Sequence, residues 1–358
     1  MIKYIGSKRL LIPTILDVIT SLPDAKSVVD FFSGTSRVGH ALKNIGYQVF
    51  ANDLLTYAHT LATCYVQADR EDIIEEATML IDEFNTIKGS PGYFTETFCE
   101  QSRFFQPKNG ARVDAIREAI EEKDLRPELK AVCLVSLMEA ADRVDSTTGV
   151  QMAYLKQWAP RASKDMQLRV PEVQLRAKNG KCQAHQFEAQ TAARQLSGDV
   201  AYIDPPYNQH TYIGNYHIWE SLVLWDKPEV YGIACKRVDC RERKSDFNSK
   251  RKALDAMTSF IEAVSCRYLV VSFSNEGYID RDCMETMLQE HGDVHVVEKD
   301  YKRYVGAQIG IYNPSGDVVG KVSHVRNTEY IYVVVPTGCA WSLDKLASLA
   351  EQRLLFTD

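Results

Sequence analysis

The sequence predicts an α/β protein whose parallel sheet begins near the N-terminus, is interrupted by a helical stretch, and is completed in the second half. Three observations predict it. Near the N-terminus, "SVVDFF" (Ser27 to Phe32), a glycine turn, a helix pattern and "YQVFAND" (Tyr47 to Asp53) follow one another as strand, helix and strand. From about Ala58 to Asn179 the pattern is helical and polar. After "NGKCQAHQF" the β-rich runs return.

Taken in order, "SVVDFF" is short and apolar enough for a buried strand. "SGTSRVGHALKNIG" supplies a turn and then a helix, with Gly46 as its stop. "YQVFAND" closes the βαβ unit. In the helical stretch, "AVCLVSLMEAADRV" (Ala131 to Val144) is the clearest buried helix. The later strands are "DVAYID" (Asp199 to Asp204), "RYLVVSF" (Arg267 to Phe273), "DVHVVE" (Asp293 to Glu298), "GAQIGIYN" (Gly306 to Asn313) and "TEYIYVVV" (Thr328 to Val335). The last two flank the turn "NPSGD" and are expected to pair antiparallel. The chain thus divides into a core, residues 1–57 and 181–358, and a helical insertion, residues 58–180.

Composition narrows the function classes. The chain has 358 residues, 45% hydrophobic and 25% charged, with a net charge of -6. That charge leaves room for a local basic groove. No run of eighteen apolar residues is present, so no membrane helix is expected. The opening segment lacks the apolar core of a secretory signal. Nine cysteines without a CxxC pair read as reduced thiols of a cytoplasmic protein. His291 and His295 are the only close histidine pair, and "HGDVHVV" reads as a turn entering a strand, so no metal site is expected.

In an open parallel sheet, ligands bind beyond the C-terminal strand ends. "DFFSGTSRVG" (Asp30 to Gly39) lies there, with Gly34 allowing close backbone approach and a helix start offering free N–H groups. Asp53, nineteen positions after Gly34, can accept ribose hydroxyls. The pair fits a dinucleotide or S-adenosylmethionine, and equally a tight turn with a helix cap.

"DPPY" (Asp204 to Tyr207) is more specific. The amine of a nucleobase is a poor nucleophile because its lone pair is delocalised into the ring. Two acceptors on its hydrogens draw the nitrogen toward a tetrahedral shape. The Asp204 carboxylate serves as one and the Pro205 carbonyl as the other, held rigidly by prolines that donate no N–H. Tyr207 offers a flat face for the base, with stacking worth ~1–3 kcal/mol. The plain alternative is a proline-rich turn after a strand.

"YIGSK", "DFFSGTSRVG", "NDL" and "DPPYN", in that order, resemble the Dam-like alpha group of DNA adenine methyltransferases. The resemblance covers the sheet portions at both ends. It implies a Rossmann-like S-adenosylmethionine-dependent methyltransferase sheet with an inserted helical DNA-recognition domain. It implies methyl transfer from S-adenosylmethionine to the exocyclic amine of a flipped-out adenine in double-stranded DNA. It admits a cognate restriction endonuclease as a partner. Tyr4, Gly6 and Lys8 match the family's N-terminal motif, which lies against the methionine part of the cofactor and, through Lys8, near the DNA. Phe32 and Gly34 match the glycine motif and Asp53 the ribose acid. Phe187, within "HQF", falls where an aromatic residue packs on the cofactor's adenine. Asp204, Pro205, Pro206 and Tyr207 match the catalytic loop, and "SFSNEGYI" (Ser272 to Ile279) a further loop near the target base. Ser36 stands in place of the motif's second glycine, and Gln186 in place of the acid before Phe187.

"YIGNYHIWESL" (Tyr212 to Leu222) reads as the helix after the catalytic loop, with Trp219 and Leu222 inward. "CKRVDCRERKSDFNSKRK" (Cys235 to Lys252) carries eight basic and three acidic residues. It reads as a DNA-backbone clamp through Lys236, Arg237, Arg241, Arg243 and Lys244, or as a solvated loop. Within the insertion, "SRFFQPKNGAR" and "DRVDSTTGVQMAYLKQW" carry side-chain types that read base edges. Two other readings share these motifs: methylation of a cytosine amine or an RNA base, and a non-catalytic DNA-binding protein on the same fold.

Overall fold

A computed structural model describes residues 1–302, 311–312, 318–320, 326–344 and 346. Its main sheet has seven strands: β1 (Ser27–Asp30), β2 (Gln48–Asn52), β3 (Gln183–His185), β4 (Ser197–Ile203), β5 (Ser265–Ser274), β6 (Asp293–Lys302) and β7 (Arg326–Val335). Their spatial order is β3-β2-β1-β4-β5-β7-β6. The first five run parallel, and β7 lies antiparallel between β5 and β6.

The unbroken apolar runs follow from burial on both faces. Alternate residues point opposite ways, so Val28, Val49, Val200 and Val270 pack under helices α1 (Ile12–Ser21) and α2 (Arg37–Asn44). Val29, Ala201, Leu269 and Val271 enter the other layer, with Met257 and Phe260 of α3 (Ala253–Ala263). The strand order reverses at β1, which has β2 on one side and β4 on the other. A crevice opens at such a reversal, beyond the strand ends. The glycine loop after β1 and the catalytic loop after β4 therefore meet there.

The helical stretch is not a body apart. Residues 127–142 form a helix buried almost throughout, as expected. Its cluster includes Phe94, Phe98, Phe104 and Phe105, and also Ile2, Tyr216, Trp219 and Leu222 from outside the insertion. The join near β2 is ionic. Lys43 Nζ lies 2.8 Å from Asp69, both without exposed side-chain area, and Arg176 and Lys181 reach the other Asp69 oxygen. These cations hold the Asp69 carboxyl below the ordinary range against the opposing effect of burial.

Three elements differ from expectation. β3 was not foreseen: three residues at a sheet edge give no periodicity to read. Thr328 to Val335 does not pair with Gly306 to Asn313. Its partners are β5 and β6, while Ile311–Tyr312 pairs with Val318–Gly320; residues 306–310 and the turn at 313–317 lie outside the described residues. The basic run is folded: Val230–Tyr231 pairs with Lys236–Arg237, and short 3₁₀ turns follow at Val238–Arg241 and Asp246–Asn248.

Ser36 adopts the left-handed conformation, with φ 59°. A side chain there costs about 1–2 kcal/mol, and the buried Ser36 hydroxyl has no hydrogen-bond partner among the described residues. Ser36→Gly is therefore expected to stabilise the protein by about 1 kcal/mol net of the glycine's greater unfolded-state entropy, measurable by urea unfolding.

Candidate active site

The glycine loop is stitched to β2. Ser33 N–H donates to the Asn52 carbonyl, and Gly34 N–H donates to Asp53 at 2.9 Å. Gly34 itself has φ +51°, and its open side faces the Tyr4 ring at contact distance. Asn52 fixes the next loop too: its amide oxygen accepts from Phe187 N–H and its amide nitrogen donates to the Phe187 carbonyl. Gly34, Asp53 and Phe187, far apart in sequence, thus line one cavity of about 920 Å³ with Tyr4, Lys8, Phe32 and Asp204.

The cavity holds unused polar capacity. One Asp30 oxygen and the Ser33 hydroxyl are buried on its wall without a partner among the described residues. Burial, with Asp204 and Asp53 nearby, pushes the Asp30 carboxyl well up. Burial raises Asp53 to about 6, opposed by the Leu55 and Gly34 N–H groups.

Tyr4 is held in a stack. Tyr212 lies parallel to it at 5.2 Å between ring centroids, and Tyr216 at 4.6 Å on a 13° tilt. Both come from the segment after the catalytic loop, which breaks at Tyr216 into Tyr212–Asn215 and His217–Leu224. Trp219 and Leu222 point inward as expected.

Within the catalytic loop, Asp204 and Pro206 line the large cavity, and Pro205 is buried behind them. Pro206 and Tyr207 line a second, small cavity with Ile5, Gly6, Asn208, His210 and Tyr212. Gly6, Pro206 and Tyr212 are walls of both, so the two spaces adjoin at the loop. The Tyr207 ring packs edge-on against Phe273, 5.7 Å between centroids. Tyr278 N–H donates to the Tyr207 carbonyl, which ties "SFSNEGYI" to this loop.

Lys8 lines the cavity but is buried there. Its side chain is 8% exposed and lies between carboxylates, 3.0 Å from Asp204 and in direct contact with Glu329 of β7. Burial alone would depress its ammonium, but Asp204 and Glu329 hold it well above the ordinary lysine value. Asp204 goes up as well, to about 6, because burial outweighs the pull of Lys8. Glu329 escaped the sequence reading. The signal was an acid inside a β-rich run, the same oddity that singles out Asp204.

The basic run divides. Arg237 is buried in ion pairs with Asp226 and Asp239, so its charge is spent on fixing the ribbon. Arg243 pairs with buried Glu220 and, with Lys244, lines the large cavity. Arg241 stacks on Tyr231 at 3.9 Å, and Lys236 reaches the Met152 sulfur. Residues 245–252 lie over the cavity: Phe247 packs on Phe32, and Asn248 donates to the carbonyls of Asn208 and His210. In the insertion, Asn109 and Arg112 donate to backbone carbonyls of the insertion itself, and Gln151 accepts from the Ile218 N–H outside it. Gln186, not itself a lining residue, donates to the Leu54 carbonyl on the cavity wall and to the Thr56 hydroxyl.

A family model described as D12 class N6 adenine-specific DNA methyltransferase matches residues 4–287. The chain is 30% identical over 324 residues to type II methyltransferase M.FokI of Planomicrobium okeanokoites, covering 84% of this chain and 49% of that protein. It is 28% identical over 321 residues to modification methylase StsI of Streptococcus sanguinis, covering 84% and 48%. Type II methyltransferase M.NlaIII of Neisseria lactamica is 29% identical over 350 residues, 93% of this chain and 99% of that one. The chain therefore spans about half the length of the first two relatives and nearly all of the third.

Proposed function

This chain belongs to the D12 class N6 adenine-specific DNA methyltransferase family, and we propose that it methylates the exocyclic amine of an adenine flipped out of double-stranded DNA, with S-adenosylmethionine as donor. The observation that carries this reading is one cavity walled by the glycine loop, Asp53 and the Asp204 carboxylate. The donor fits the wall: the partnerless Asp30 oxygen and Ser33 hydroxyl suit a cationic amino-acid tail, Asp53 a ribose, and Phe187 a purine face. When bound, it supplies an electrophilic methyl group on a sulfonium.

The chain's own residues do the rest. Asp204 and the Pro205 carbonyl accept the two amine hydrogens and localise the nitrogen lone pair. The base enters where the small cavity at Tyr207 and Tyr212 adjoins the larger one. After transfer the amine nitrogen carries an extra proton, and Asp204 or water takes it. Flipping costs a few kcal/mol, offset by phosphate contacts from Arg241, Lys236 and Lys244. Arg237 is left out of that set because its ion pairs are internal, and Arg243 enters it only by leaving Glu220. Such relatives are modification methylases by name, which supports a cytoplasmic site of action and a cognate endonuclease as companion. Among the described residues, no helix is long and apolar enough to cross a membrane.

Asp204 must be ionised to accept the amine, and burial lifts it to about 6. The pH profile of kcat/KM is therefore expected to fall below about pH 6, approaching tenfold per unit. A limb near pH 4 would mean that Asp204 is solvated in the working enzyme. Mass spectrometry of nucleosides from treated DNA and RNA tests the reaction itself. Methylated adenine in DNA is expected; modified cytosine, or modification of RNA alone, would replace this reading.

A further inference from the structure

We propose that Glu329 is a positioning residue of the amine site: it receives Lys8 when the substrate amine displaces that ammonium from Asp204. The inference rests on the methyltransferase reading above. It concerns a residue outside the family-matched stretch of 4–287.

In the structure the Asp204 carboxylate already faces an amine, that of Lys8, at 3.0 Å. A substrate amine needs the same carboxylate, so the two compete. Lys8 has little solvent of its own, its side chain being only 8% exposed on the wall of the shared cavity. An ammonium stranded in a buried site costs several kcal/mol. Glu329 removes that cost. It touches Lys8 already, its own side chain is 1% exposed, and the Ser272 hydroxyl donates to it at 2.7 Å. It sits within β7, paired on both edges by β5 and β6, so it is a fixed post. Asp204, at a strand end, is free to change partners while Lys8 remains neutralised.

The charged and titratable groups facing this pair are few. Lys8 meets Asp204 and Glu329, with the Tyr202 and Tyr207 phenols beyond. Asp204 also faces Asp30, Tyr202 and Tyr212 from the neighbouring elements. Among the described residues named here, Lys8 is the one cation. Removing the Glu329 charge leaves Lys8 bound to Asp204 alone. The carboxylate then ionises more readily but gives up its lysine less readily.

The test is Glu329→Gln in the full chain, assayed with S-adenosylmethionine and duplex DNA from a methylation-deficient host. The acid limb of kcat/KM is expected to move about one unit toward lower pH. At neutral pH kcat/KM should drop about tenfold or more, with S-adenosylmethionine affinity by calorimetry kept within about twofold. Carboxylate NMR titration of Asp204 in wild type and variant, without DNA, should show the same downward displacement. An unchanged limb and titration would overturn the role of Glu329. So would loss of cofactor binding in step with activity, which marks a merely structural residue. Wild-type protein that shows the NMR difference from the variant but methylates no DNA would instead sink the methyltransferase reading.

Discussion

Asp204→Ala is expected to lower methyl transfer on the order of a thousandfold, with S-adenosylmethionine affinity nearly unchanged and the thermal midpoint held or raised. The first expectation follows from the amine: without the carboxylate, one of its two acceptors is gone and the lone pair stays in the ring. The second follows from the hydrogen bonds, since Gly34 and Phe187 are held by Asp53 and Asn52 and not by Asp204. The third is the less obvious one. Deleting one member of a buried pair normally strands the other charge. Here Lys8 keeps Glu329, and a carboxylate that burial has already pushed up to about 6 is removed. Single-turnover assays, calorimetry and thermal melts on one preparation check all three. Equal loss of binding and activity would make Asp204 a structural residue.

The largest stability effect is expected elsewhere, at Asp69. Asp69→Ala leaves the Lys43 ammonium buried without its carboxylate and should cost about 3–5 kcal/mol. That is a large share of the roughly 5–15 kcal/mol that stabilises a typical domain. Arg176 and Lys181 are half-exposed and can turn to water, whereas Lys43 cannot, having no exposed side-chain area. Replacing both members, Lys43→Met with Asp69→Leu, should recover most of the loss in urea unfolding. A double variant no better than the single one would show that packing, and not the stranded charge, sets the cost.

Much of the site was legible because its chemistry is local in sequence. The glycine after a buried strand, the acid after the next one and the acid before two prolines each declare themselves within a few residues. The strand order then brings them together at the reversal beside β1, which no single motif states. What stayed hidden depends on partners distant along the chain. Lys8 reads as one residue of the N-terminal motif, and nothing near it announces that Asp204 and Glu329 close on it from positions 196 and 321 residues away. Arg237 reads as one more cation in a basic run until Asp226 and Asp239 take up its guanidinium. The insertion's Asn109 and Gln151 have the hydrogen-bonding groups of base readers, but burial turns those groups onto the backbone. β3 escaped for a different reason: the pairing of its three residues with β2 comes from the sheet, not from their own pattern.

Residues 245–252 touch Phe32 through Phe247 and the backbone beyond Tyr207 through Asn248. One short strip of chain thus rests both on the proposed donor pocket and on the loop where the proposed DNA substrate would enter. Whatever shift one guest imposes on that strip, the other meets on entry. Thermodynamic reciprocity then requires each to alter the other's grip by an equal factor. Affinities measured one ligand at a time would differ from those of the working ternary assembly, and Asn248→Ala should bring the two sets together.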